Sequence, residues 1–257
     1  MQFTFAEITG WLGAFAWPWL RISAMLIAAP IFSSAQIPVR LHILVGIGLT
    51  VAIMPIVGPA PAVEPLSVAA LLIAVQQVLI GLIIGLLLGL AFAAVIIAGE
   101  SFSLSMGLGF ATMVDPQGAS VPVISQFLQV MATLLFLAVG GHLMLIELVA
   151  ESFRAMPVGV EGVSGEQFWL LVSWGSLMFA GAVLIALPAI VILLITNLAL
   201  GVMTRAAPQM NIFSVGFPVT MMLGFLVLLI LIMPALAPRM NALWAQAFAT
   251  ARTILGL

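Results

Sequence analysis

The chain has 257 residues, of which 65% are hydrophobic and 5% charged, with a mean hydropathy of +1.37. A soluble domain carries roughly a quarter charged residues, so this chain cannot cover its surface with polar groups and must lie in lipid or against other apolar protein. Six basic residues, all Arg, against eight acidic ones leave a net charge of -2, which gives no electrostatic footprint for nucleic acid; the lack of cysteine excludes disulfides and thiolate sites.

The opening MQFTFAEITG has no basic n-region, and no small-residue cleavage site follows a short apolar core. The first apolar segment therefore reads as retained, not as a removable signal. A spanning helix needs about 20 mostly apolar residues. Six stretches meet that need: 11–31, 41–57, 66–98, 123–149, 168–200 and 213–233. The tail 240–255 reads as a shorter amphipathic helix at an interface. The third and fifth stretches reach roughly 50 Å at 1.5 Å per residue, beyond a hydrocarbon core of about 30 Å. Such helices must tilt, break or run past the bilayer. Pro188, in "ALPAI", predicts a kink or break in the fifth.

The punctuation is legible. "GPAPAVEP" separates the second and third stretches, "MPVGVEGVSGE" the fourth and fifth, and "RAAPQMN" the fifth and sixth. No soluble domain or low-complexity tract interrupts them, so residues 1–257 read as a single membrane domain. Under strict alternation the Arg residues fall on both sides in similar number, and the positive-inside rule sets no orientation. Gly81, Gly85 and Gly89 recur every four residues in the third stretch. They make a flat seam where a second backbone can approach, within this chain or from another subunit.

Ionisable residues inside apolar segments are the first functional candidates in a membrane protein. Arg21 sits in the middle of the first stretch and Glu100 closes the third. Arg21 is expected to be satisfied by carbonyls or one acid, or else by a salt bridge to another subunit. Glu147, Glu151 and Arg154 have the spacing of a helix-end charge cluster. Gln76, Gln77 and Asn197 can hydrogen-bond across helices. His142 and Glu147 do not have HExxH spacing, and no serine elbow or phosphate loop is present. No catalytic, metal or cofactor site is expected. A secondary transporter would carry a denser intramembrane relay of acids and bases.

Between two apolar stretches lies "SMGLGFATMVDP", residues 105–116. It is rich in Gly and Met, and Asp115 before Pro116 is a turn signal. Gly107 and Gly109 let the backbone turn tightly. Met106, Phe110 and Met113 are adaptable apolar groups.

Several blocks in order resemble the FliR proteins of the bacterial flagellar type III export gate. They are "WPWLRISAMLIAAPIFSSAQIPVR", "AVQQVLIGLIIGL", "AGESFSLSMGLGFATMVDPQ", "GGHLMLIELV" and "TNLALGVMTRAAPQMNIFSVGFPVT". The last, with Asn197, Arg205, Pro208 and Gly216, matches best. The resemblance implies an all-α integral membrane protein of about six long apolar helices, arranged as broken or kinked hairpins within a helical hetero-oligomer. Residues 1–122 would resemble a P-type subunit and include a plug loop, 105–122; residues 123–257 would end in a Q-type hairpin. One copy would assemble with several P-type and Q-type subunits in the bacterial inner membrane, at the flagellar basal body. A B-type switch protein, an A-type ring, membrane lipid and exported flagellar subunits in transit would be its other contacts. In that setting Met106, Gly107, Gly109, Phe110, Met113, Asp115 and Pro116 would serve the plug. Arg21, Gln77, Glu100, Asn197 and Arg205 would serve as intersubunit or intramembrane polar groups. The alternatives are the T-type component of a virulence injectisome and, from another class, a secondary transporter.

Overall fold

A computed structural model describes residues 5–33, 38–61, 63–64, 67–108, 122–207 and 215–257, with backbone alone at 5–9 and 12. The described chain is α-helical. Helix α1 (Phe5–Ala28) is followed by α2 (Val39–Ile53), which ends in a 3₁₀ turn, Met54–Ile56. Then come α3 (Val68–Ser105), α4 (Val123–Ala138), α5 (Gly141–Ala155) and α6 (Gly165–Ala206). Helix α7 (Phe217–Val227) passes through a π turn, Leu228–Ile232, into α8 (Met233–Leu255). By length and apolar composition, Val39–Ile56, α3, α6 and Phe217–Leu255 can each cross a membrane, and α4 with α5 makes a fifth, bent span. The apolar part of α1, Gly13–Ala28, is shorter.

Four boundaries differ from the sequence expectation, each for a local reason. Helix α3 runs on past residue 98 because its serines are satisfied inside it: Ser101 Oγ donates to Ile97 O at 2.8 Å and Ser105 Oγ to Ser101 O at 2.9 Å. It stops at Gly107, whose φ of 82° is left-handed. Leu108 N–H bonds Ser103 O and Gly107 N–H bonds Leu104 O, both at 3.0 Å, which is a Schellman cap. The fourth stretch is two helices bent by 66°, because Gly140 at φ 77° leaves the right-handed path between them. Helix α6 continues through Pro188 without a break. One missing N–H does not end a helix held by its neighbours on an apolar path. The sixth stretch and the tail form one unbroken helical span, Phe217–Leu255. Pro234 has no N–H to offer Ile230 O, and the ladder ahead of it widens so that Met233 N–H reaches Leu228 O.

The chain forms two compact units. The first takes residues 1–90, 139–175 and 244–257, and the second residues 91–138 and 176–243. In the first, Ile22, Met25, Ile80, Ile84, Leu145 and Val149 build the core. Helix α2 packs on α1 by a narrow stripe, Gly46, Thr50 and Ile53. Gly46 faces Trp19, Ser23 and Leu26, while Val39, Leu44, Val45 and Val51 point outward. Small or polar inside and large apolar outside is the pattern of a helix surrounded by hydrocarbon or by another apolar chain. In the second unit, Phe92 and Phe136 meet edge to face at 5.7 Å. Gly99 lies against the backbone of Ser125, whose hydroxyl donates to Ile96 O at 3.3 Å.

The glycine seam of α3 lies against α1. A Cβ at Gly85 would stand 2.6 Å from Ala28 Cβ and 2.7 Å from Met25 O. A Cβ at Gly81 would collide with Arg21 O, whereas Gly89 has ordinary room beside Ala28 and Pro30. Placing Ala at a free helical glycine gains about 1 kcal/mol of propensity, but at Gly85 overpacking reverses the sign by about 1–3 kcal/mol. Gly85→Ala is therefore expected to lower the thermal midpoint of the detergent-purified chain. Gly48→Ala, in open space on α2, is expected to leave it unchanged or raise it; equal behaviour of the two variants would contradict the α1–α3 contact.

Candidate functional site

Arg21 is the one charged side chain fully buried among the described residues. Gly81 brings the α3 backbone against α1 at that position. Gln77, one turn earlier on the same face of α3, then stands beside the guanidinium. Gln77 Oε1 accepts from Arg21 Nε at 2.9 Å and from Nη2 at 2.6 Å. Nη1 donates to Ser152 O at 2.9 Å and to Ser152 Oγ at 3.0 Å, and Nη2 donates to Met156 O at 2.8 Å. Five N–H groups thus meet five acceptor contacts. The Phe153 ring closes one side, its centroid 4.1 Å from Cζ.

No carboxylate takes part among the described residues. The compensating charge is the carboxyl end of α5. Ser152 lies in its last turn and Met156 just past it, where helix carbonyls carry the negative end of the macrodipole. Ser152 Oγ–H donates to Val149 O at 2.6 Å, so the lone pairs of the hydroxyl oxygen are left to face Arg21. The neighbouring Gln76 fixes the chain that follows: its Oε1 accepts from Val163 N–H at 3.2 Å. Consecutive glutamines on α3 therefore hold the guanidinium and the 156–164 connection. The Gln77 amide nitrogen, buried as well, has no hydrogen-bond partner among the described residues.

Glu147, Glu151 and Arg154 lie together at the end of α5, as their spacing predicts, but no ion pair forms among them. Glu151 instead meets Arg252 of α8 at 3.6 Å, because α8 brings a cation closer than the exposed Arg154 on its own helix. The pair is partly exposed, so its contribution is small. Gln167 Nε2 also reaches α8, donating to Ile254 O at 2.6 Å.

The remaining sequence-derived residues lie in the second unit or outside the described chain. Asn197 Nδ2 donates to Ser105 O at 3.3 Å. Met106 is fully buried and Gly107 is the helix-ending turn. Glu100 is half-buried on α3 and Arg205 is exposed in the last turn of α6. Gly109, Phe110, Met113, Asp115 and Pro116 lie outside the described residues. Sequence reasoning missed Ser152, Phe153 and Met156. Two of the acceptors are backbone carbonyls, which any residue type supplies. Only the serine in "ESFR" offered a signal.

A described chain made of helices, four or five of them long and apolar enough to cross a membrane, is that of an all-α membrane protein. Residues 12–247 match the model of the family described as bacterial export proteins, family 1, and the chain belongs to that family. It is 41% identical to the flagellar biosynthetic protein FliR of Escherichia coli over 249 residues, 96% of this chain and 95% of the relative. It is 39% identical to FliR of Pectobacterium carotovorum over 96% of this chain and 95% of the relative. With FliR of Aquifex aeolicus it shares 34% over 82% of each chain.

Removing Arg21 leaves Gln77 Oε1, Ser152 Oγ and two helix-end carbonyls facing each other in an apolar interior. Arg21→Ala is expected to destabilise the fold, by about 1–3 kcal/mol for each buried acceptor it leaves unpaired. Gln77→Leu strands two N–H donors and is expected to cost about 2–3 kcal/mol. Unfolding of each variant in detergent, followed by circular dichroism, measures both. Wild-type midpoints would contradict the arrangement.

Proposed function

We propose that this chain is a component of the flagellar type III protein export gate. It assembles as one copy with several P-type and Q-type subunits in the bacterial inner membrane, within the flagellar basal body. The assembly forms the closed channel through which exported flagellar subunits pass, and residues 105–122 of this chain plug it. The B-type switch protein and the A-type ring are its neighbours in the apparatus. The observation that carries the reading is the 41% identity to a FliR protein across 96% of the chain.

The outward faces support it. On α6 alone, Trp169, Phe179, Val183, Ile195, Leu198 and Val202 each expose more than half their surface. An uncovered apolar area of that extent belongs against lipid or other subunits. The composition of 105–122 suits a seal. Apolar, adaptable side chains block ions by dewetting, with no strong bond to break for each passing chain. The chain does no chemistry of its own in this role. Transport energy comes from partners and the ion gradient.

Deleting residues 107–117 is expected to leave the co-expressed assembly intact but leaky to ions and small solutes. Conductance or dye efflux across vesicles holding the complex measures this, and unchanged permeability would sink the plug assignment.

A further inference from the structure

We propose that Met106, seated on the bare backbone of Gly224, anchors the amino-terminal end of the 105–122 segment to α7, making Gly224 a positioning residue for that segment. The importance of the segment rests on the plug reading above; the anchor itself rests on contacts within the second unit.

Three contacts converge there. Met106 has no exposed surface. A Cβ at Gly224 would stand 2.5 Å from Met106 Cε and 2.7 Å from its Cγ and Sδ. The whole outer half of the methionine therefore occupies the space that a side chain at 224 would need. Next to it, Gly107 at φ 82° turns the chain with the Phe217 ring 3.5 Å from where its Cβ would be. One residue before Met106, Asn197 Nδ2 holds Ser105 O at 3.3 Å. Helices α6 and α7 thus grip the chain at three consecutive positions as it leaves α3. The Schellman cap fixes the direction in which it leaves.

The choice of residues fits a seat that holds without a strong bond. The methionine contributes dispersion and apolar burial, with no hydrogen bond from its side chain. Its unbranched stem enters a glycine notch that a β-branched side chain could not enter. The one polar contact, from Asn197, is neutral and long. Among the described residues, the Met106, Gly107 and Leu108 N–H groups all bond carbonyls of α3 itself and not of α6 or α7.

The test uses the complex co-expressed with P-type and Q-type subunits, in membranes. Leu108→Cys, two residues beyond the seat and half-buried, reports accessibility to a membrane-impermeant maleimide; the chain has no cysteine of its own. In that background Gly224→Val fills the notch and Met106→Ala empties it. Both are expected to raise the labelling rate of the thiol at position 108 roughly tenfold or more, the factor that corresponds to about 1.4 kcal/mol. Met106→Leu, which keeps an apolar stem of similar volume, is expected to change it less. If Gly224→Val fails to assemble, Met106→Ala decides alone. An unchanged labelling rate overturns the anchor, whatever the permeability of the 107–117 deletion. An impermeable deletion overturns the plug reading, whatever the labelling rate.

Discussion

The first unit depends on how Arg21 is neutralised. A guanidinium in an apolar interior must be met by opposite charge or by dipoles, and here only dipoles are present among the described residues. Gln77 Oε1 and the carboxyl end of α5 supply them. Three elements, α1, α3 and α5, are therefore tied at one point, and none can shift along its axis without stranding a donor. The bare backbone of Gly81 makes this geometry attainable, because any side chain there would hold α3 away from Arg21. The glycine seam and the arginine are one device: close approach brings the acceptors near, and the cation makes the close approach specific.

The same economy appears elsewhere. Small residues point inward and large ones outward, at Gly46 on α2, at Gly99 on α3 and at Gly224 on α7. The hydrophobic effect does not choose between inside and outside when both are apolar. Packing density and a few hydrogen bonds make the choice instead. That explains why serines back-bond to carbonyls within their own helices, and why the single ion pair among the described residues sits at a partly exposed helix end.

Much of this was legible in the sequence. Arg21 stood out as a charge in an apolar run, Gln77 as a polar group on the helix opposite, and Gly81, Gly85 and Gly89 as a four-residue repeat. What the sequence withheld was non-local or backbone-borne. Ser152 O and Met156 O accept from Arg21 as carbonyls, so composition carries no trace of them. Glu151 was assigned to Arg154 by (i, i+3) spacing, but Arg252, far along the chain, competes from α8. Helix ends were misplaced where polar residues looked like stops. Glu100, Ser101, Ser103 and Ser105 all lie inside α3, which ends only where Gly107 adopts a left-handed φ. Pro188 leaves α6 unbroken, whereas Gly140, on which the sequence reading placed no weight, bends the chain by 66°.

Membership of the bacterial export family gives the outward apolar faces a purpose, since a chain that exposes so many large side chains needs companions as much as lipid. The most direct test of that account is the mass of the intact particle. The chain is co-expressed with P-type and Q-type subunits, extracted in mild detergent and weighed by native mass spectrometry. The account predicts a particle holding one copy of this chain and several copies of each partner. Recovery of the chain by itself, or only with copies of itself, would contradict it.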